Sequence, residues 1–234
     1  MPLVNAIRTR LNECRAAGRP GVSRVTAELL GWWDREGRYP RLFYAQKEAA
    51  ETIIFMVEAR ADFLTGISVP RDDPGEVRRA AGYPGFERRC CKIATGTGKS
   101  TVAAMLAAWS ILNKQADRGD ARFSDTVLIV CPNVTIRRRL GELDPRTGNA
   151  SLYRTRDSVP PAMMADLTRG RVLIKNWHEF EPQNTGGRRR RTRRAGGKAG
   201  SPRGDDRWEY MLAFNVREFG AGLDALAAQS LQNA

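Results

Sequence analysis

Seven consecutive residues, Ala94-Thr95-Gly96-Thr97-Gly98-Lys99-Ser100, combine glycines, a lysine and hydroxyl side chains at the spacing of a phosphate-holding loop. In such a loop the backbone N–H groups of Gly96, Thr97 and Gly98 point at phosphate oxygens, and the N-terminus of the following helix adds partial positive charge. Thr95 belongs to the same cradle, Lys99 reaches the β and γ phosphates, and Ser100 ligates Mg²⁺, so ATP and Mg²⁺ are the expected ligands. The strict pattern asks for glycine five residues before Gly98, where this chain has Ile93. The plain alternative is a glycine turn that happens to precede a helix.

The elements that must position this loop are a strand before it and a helix after it. Arg89-Cys90-Cys91-Lys92-Ile93 reads as a short strand, and Val102, Met105, Leu106, Trp109 and Leu112 recur at helical spacing. Thr126 to Cys131 is a continuous apolar run ended by Pro132-Asn133, as in a strand buried on both faces, and Val172-Leu173-Ile174 repeats the pattern before Lys175-Asn176-Trp177-His178. Strands separated by helices predict a parallel α/β sheet with right-handed crossovers, whose ligands gather at the carboxyl ends of the strands.

Upstream, Val4, Ile7, Leu11 and Cys14 predict a helix closed by Gly18 and Pro20, and a second helix runs from about Ser23 to Trp33. A third helix opens over residues 41–46, with Ala50, Ile53, Ile54 and Val57 on its apolar face and Gln46 near its start. Residues 66–86 carry enough Gly, Pro and Asp to read as a loop with one short turn inside it. Beyond Pro182 the character changes to Gly and Arg, which predicts disorder, and Val216, Phe219, Leu223 and Leu226 suggest a final amphipathic helix.

Composition narrows the class. The chain has 234 residues and 39 Lys plus Arg against 26 Asp plus Glu, a net +13 that suits a partner of polyanionic chemistry. Between Gly186 and Arg207, nine Lys or Arg face only Asp205 and Asp206, so about half the excess sits in one segment. That segment is either a non-specific phosphate-binding element or a solvated tail without a task. The four cysteines show no C-x-x-C pairing, which speaks against a disulfide framework or zinc site and for a reducing, cytoplasmic setting. No run of eighteen apolar residues occurs, so no membrane partner is expected.

Four segments together resemble the superfamily-two helicases of DEAD/DEAH-box type, and more narrowly the restriction (R, or Res) subunit of type III restriction endonucleases. They are Leu42-Phe43-Tyr44-Ala45-Gln46 with the following Glu48 to Thr52, Cys90 to Ser100, Val130 to Ile136, and Val172 to His178, and the likeness spans roughly residues 25–182. The resemblance implies a RecA-like motor domain over 41–182, preceded by a helical lead-in over 1–40 and followed by a Gly/Arg-rich segment over 183–234. It implies that Gln46 reads adenine through its side-chain amide, and that Asn133 and Thr135 grip the DNA sugar-phosphate backbone. An ordinary polar residue at a helix start is the alternative for Gln46.

Arg137, Arg138 and Arg139 follow directly, and three adjacent residues cannot share one helical face. Arg137 is therefore taken as the DNA contact, with at most one companion. Asn176 matches a further contact motif at the next strand end. Trp177 beside it either stacks on a base or packs in a core, and His178 has no supported role as metal ligand or base.

The family also needs an Asp-Glu pair, in which the aspartate holds Mg²⁺ and the glutamate orients water. No Asp-Glu dipeptide occurs in the sequence, and neither a second motor domain nor a nuclease motif is recognisable. The expectation is an incomplete α/β sheet forming the front part of a larger machine. Such a chain binds ATP and hydrolyses it poorly, and it works with further motor or nuclease segments or with a modification subunit. The competing expectation is a non-catalytic DNA-binding remnant with a vestigial nucleotide site. A sheet lacking its acidic strand also leaves edges uncovered, which predicts aggregation or dependence on a partner chain.

Overall fold

The computed structural model describes residues 2–69, 71–72, 75–80, 82, 86–87, 89–94, 96–180 and 211–214. Three helices come first: α1 (Pro2–Ala16), α2 (Arg24–Asp34) and α3 (Tyr44–Glu58). Ser23 starts α2 by accepting the Thr26 N–H at 3.0 Å, an ordinary serine N-cap. A short α4 (Ala61–Leu64), a two-residue antiparallel pair of β1 (Arg71–Asp72) with β2 (Phe86–Glu87), and α5 (Gly75–Ala80) between them fill the breaker-rich stretch.

The central element is α6 (Lys99–Ala116). Its apolar residues are buried on every side: the anticipated Val102, Met105, Leu106, Trp109 and Leu112, and also Ala103, Ala104, Ala107, Ala108 and Ile111. A helix apolar all round belongs inside a core, and the run of alanines lets neighbours approach closely. α2 and α3 pack on α6, as do the short helices α8 (Leu152–Thr155) and α9 (Met164–Leu167). Leu29, Ile54, Met105 and Ile111 lie in this one core at 2 % exposure or less, each contributing roughly 1.5–3 kcal/mol by burial. The lead-in helix α2 thus shares its core with the helix behind the glycine loop.

β3 (Thr126–Cys131) and β4 (Arg171–Asn176) pair in parallel, in register from Thr126 with Arg171 to Cys131 with Asn176. α7 (Val134–Leu140), three-residue and six-residue 3-10 turns, α8 and α9 form the crossover between them. This bears out the mixed α/β expectation at the level of a small parallel pair in a mostly helical chain.

Contrary to the sequence expectation, Arg89–Ile93 is not a strand: residues 89–94 run into the loop without strand structure, although Ile93 packs partly buried against the core. Conversely Met211–Phe214, inside the segment expected to be disordered, forms β5 and pairs antiparallel with β3, giving the order β4-β3-β5. A strand needs an edge to pair with, and the edge of β3 opposite β4 is taken by β5. The arginine run and the anticipated final helix lie outside the described residues.

One polar network holds the helices in place. Glu58, 2 % exposed at the end of α3, accepts hydrogen bonds from the Ser23 N–H at 2.7 Å, Thr26 Oγ1 at 2.6 Å and Trp109 Nε1 at 2.5 Å. Asn113 Nδ2 donates to Thr26 Oγ1 at 3.0 Å, and Ser23 Oγ donates to Asn113 Oδ1. The buried carboxylate is thereby surrounded by donors from α2 and α6, which is what a charge removed from water requires.

Candidate nucleotide site and strand-end surface

Gly96 and Gly98 have φ of +83° and +80°, a left-handed backbone that glycine adopts without the penalty of a Cβ. Gly98 is the N-cap of α6, and its carbonyl accepts the Thr101 N–H at 2.9 Å, so the loop feeds directly into the helix. Lys99 and Ser100 occupy the first helical turn. Thr95 lies outside the described residues.

The loop is closed on itself and on α3. Ala94 O accepts Thr97 Oγ1–H at 2.6 Å and the Lys99 ammonium at 3.2 Å, so the lysine folds back across the turn. Gln46, 5 % exposed, donates Nε2–H to Thr97 O at 2.9 Å, while its Oε1 accepts the Phe43 N–H at 2.9 Å at the start of α3. The glutamine therefore uses both ends of its amide, one to cap its own helix and one to hold the loop. The φ of +80° favours glycine at 98, and a Cβ there would sit 2.1 Å from Gln46 Nε2, so that side-chain end would have to move aside. Sequence reasoning placed Gln46 at the nucleotide; the structure brings it to the loop backbone.

Ser110 fixes α6 to the start of the sheet. Its Oγ donates to Ser124 O at 2.9 Å and accepts the Ser124 N–H at 3.0 Å. From that anchor the helix leads back to the loop over about 16 Å and the strand leads forward to Cys131 over about 23 Å.

At the carboxyl end of β3 four of the sequence-selected residues come together. Asn133 caps α7, its Oδ1 accepting the Ile136 N–H at 2.9 Å, and Thr135 is exposed in the first turn. The buried Cys131 thiol lies between the strand ends, donating to Asn176 Oδ1 and Lys175 O, both at 3.3 Å. Burial pushes that thiol up from its ordinary value, so it stays protonated and able to donate. Arg137 forms an ion pair with Glu179 at 3.3 Å, whereas Arg138 and Arg139 point to solvent.

Glu179 belongs to no motif in the sequence. It follows β4 by three residues, and its Oε1 accepts the Asn176 N–H at 2.9 Å while its Oε2 meets Lys175 Nζ at 3.1 Å. Burial opposes its charge, but the Asn176 N–H, Lys175 and Arg137 outweigh it and hold the carboxyl below the usual carboxylate range. Its only sequence signal was the four-residue spacing from Lys175.

Among the described residues no group of three or more His, Cys, Asp or Glu is placed to hold a metal ion, and no helix is long and apolar enough to cross a membrane. Compared with protein-family models, with curated proteins and with solved structures, the chain matches none.

Proposed function

We propose that the chain binds ATP with Mg²⁺ through the loop ahead of α6, and that the carboxyl ends of β3 and β4 hold the backbone of DNA. In this reading it is the N-terminal, RecA-like part of a DNA-dependent ATPase of the type III restriction R-subunit kind. The observation that supports it most is local: two left-handed glycines lead straight into an 18-residue helix with Lys99 and Ser100 in its first turn, and Gln46 touches the same loop.

Phosphates entering the loop take over the Lys99 ammonium from Ala94 O and the amides of residues 96–98. Ser100 would supply one hydroxyl oxygen to a bound Mg²⁺, an ion that takes oxygen ligands and would neutralise phosphate charge. The group missing for hydrolysis is the carboxylate that orients water, since the sequence has no Asp-Glu pair. Binding without efficient turnover follows.

Titration calorimetry of the folded chain with Mg–ATP tests the reading. The expected result is single-site uptake that weakens at least about tenfold in Lys99→Ala, a loss of about 1.4 kcal/mol or more. No magnesium-dependent uptake by the folded parent would overturn it.

The arginine run favours a second reading, a DNA-binding remnant in which the tail does most of the binding. Replacing Arg188 to Arg191, Arg193 and Arg194 by glutamine then collapses DNA affinity and flattens its salt dependence. Under the motor reading the same variant keeps Mg–ATP binding intact.

A further inference from the structure

The carboxylate of Glu179 sits in a set of donors that has the composition of a phosphate site. A backbone N–H (Asn176, 2.9 Å), a guanidinium (Arg137, 3.3 Å) and an ammonium (Lys175, 3.1 Å) converge on its two oxygens from the end of β4 and from α7. Nothing in the pairing of β3 with β4 requires a carboxylate there, because the strand register is complete at Asn176 without it. The same three donors, one neutral and two cationic, match the oxygens of a phosphodiester, to which Arg binds in a planar fork and Lys as a point charge. The site is reachable: the side chains of Arg137, Lys175 and Glu179 are 44 %, 26 % and 35 % exposed.

We infer that Asn176 N–H, Lys175 and Arg137 form a binding nest for a nucleic-acid backbone phosphate, and that Glu179 is a built-in plug occupying it in the free chain. The nest rests on the proposed DNA reading for the source of its ligand, but its anion chemistry stands without that reading and without the nucleotide loop. A phosphate displaces the carboxylate by exchange: the three hydrogen bonds pass from one anion to the other, and no covalent bond changes. Because the plug is on a short 3-10 turn directly after β4, it can swing out while the strands stay paired.

The test uses the full chain and four variants, Glu179→Gln, Arg137→Ala, the double variant, and Glu142→Gln. Glu142 is an exposed carboxylate just past α7 and not among the nest donors, so E142Q reproduces the charge change without touching them. Binding of a fluorescent DNA duplex and of inorganic phosphate is measured at low and at moderate salt. The nest predicts that E179Q tightens DNA binding by at least about tenfold over parent and E142Q, that R137A removes the gain in the double variant, and that phosphate uptake appears in E179Q alone.

A gain equal in E179Q and E142Q, or one that survives R137A, means that only general repulsion was relieved and overturns the nest. Phosphate uptake in E179Q without any gain for DNA keeps the nest and removes DNA as its ligand, a result distinct from failure of the Lys99 test. If E179Q does not fold, R137A in the parent decides: loss of the Arg137 pair should loosen the plug, and unchanged exchange of the Asn176 amide would overturn its role.

Discussion

Gln46 joins helix α3 to the glycine loop ahead of α6, and the strength of that joint can be worked from its geometry. Gln46→Ala removes two hydrogen bonds of 2.9 Å, one to Thr97 O and one from the Phe43 N–H, at a side chain 5 % exposed. At roughly 1 kcal/mol each, the loss is about 2 kcal/mol. For a chain of this size that corresponds to a melting temperature lower by about 4–8 °C. Gln46→Glu separates the two halves. It keeps an acceptor for the Phe43 N–H at the positive end of α3 but presents an oxygen without a proton to Thr97 O.

Burial and the facing carbonyl raise the introduced carboxyl above its unfolded value, so the protonated form can donate to Thr97 O below that value. The benefit is lost as pH rises through the folded pKa. Gln46→Glu therefore costs least in acid and most at neutral pH. Thermal melts at both pH values, with amide exchange at Phe43 and Thr101, check the scheme. A Q46A chain melting within about 1 °C of the parent, with Phe43 exchange unchanged, would refute the joint.

Three further outcomes follow from the same geometry. Glu58→Gln places an NH₂ where either Trp109 Nε1–H or the Ser23 N–H now donates, and should destabilise by about 2–4 kcal/mol in urea melts, because a buried donor is left facing a donor. Gly98→Ala forces a Cβ 2.1 Å from Gln46 Nε2 at a φ of +80°, and should release Gln46 from Thr97 and lower stability by at least about 1–2 kcal/mol, read by melts together with Thr101 amide exchange. Glu179 has its carboxyl held below the usual range, so the stability it supplies is present above the ordinary carboxylate pKa and is lost as pH falls through the depressed one; urea melts of E179Q should lack this acid-side loss.

The sequence made α6, β3 and β4 legible because long apolar runs report burial directly. α2 and α3 were legible through their spacing, and Ser23 through capping chemistry. Arg89–Ile93 has the composition of a strand, but strand formation is a property of a pair, and the free edge of β3 went to Met211–Phe214. That pairing was unreadable because the four residues stand far along the chain amid glycine and arginine. Glu58 and Glu179 were invisible for a related reason. A charged residue at a helix end or after a strand reads as surface, and only the fold brings Ser23, Trp109, Arg137 and Asn176 onto them. For Gln46 the sequence placed the residue at the loop but not the partner: its amide bonds Thr97 O.

These placements have one mechanical consequence. The helix behind the loop is fixed along its length by α2, α3, α8 and α9 and by the Glu58 network, whereas the bonds described at the loop include those of Gln46 to Thr97 O and of Thr97 and Lys99 to Ala94 O. A ligand arriving at Gly96 to Ser100 can therefore rearrange the loop by exchanging those bonds while α6 stays put. On the proposed nucleotide reading, release of Thr97 O would free Gln46 Nε2 for a base edge, and that one side chain would couple phosphate capture to base reading. On that argument Q46A should weaken the discrimination between ATP and GTP more than it weakens binding of inorganic triphosphate, and calorimetry with the three ligands measures the difference. Equal losses for all three would mean that Gln46 acts on the loop alone.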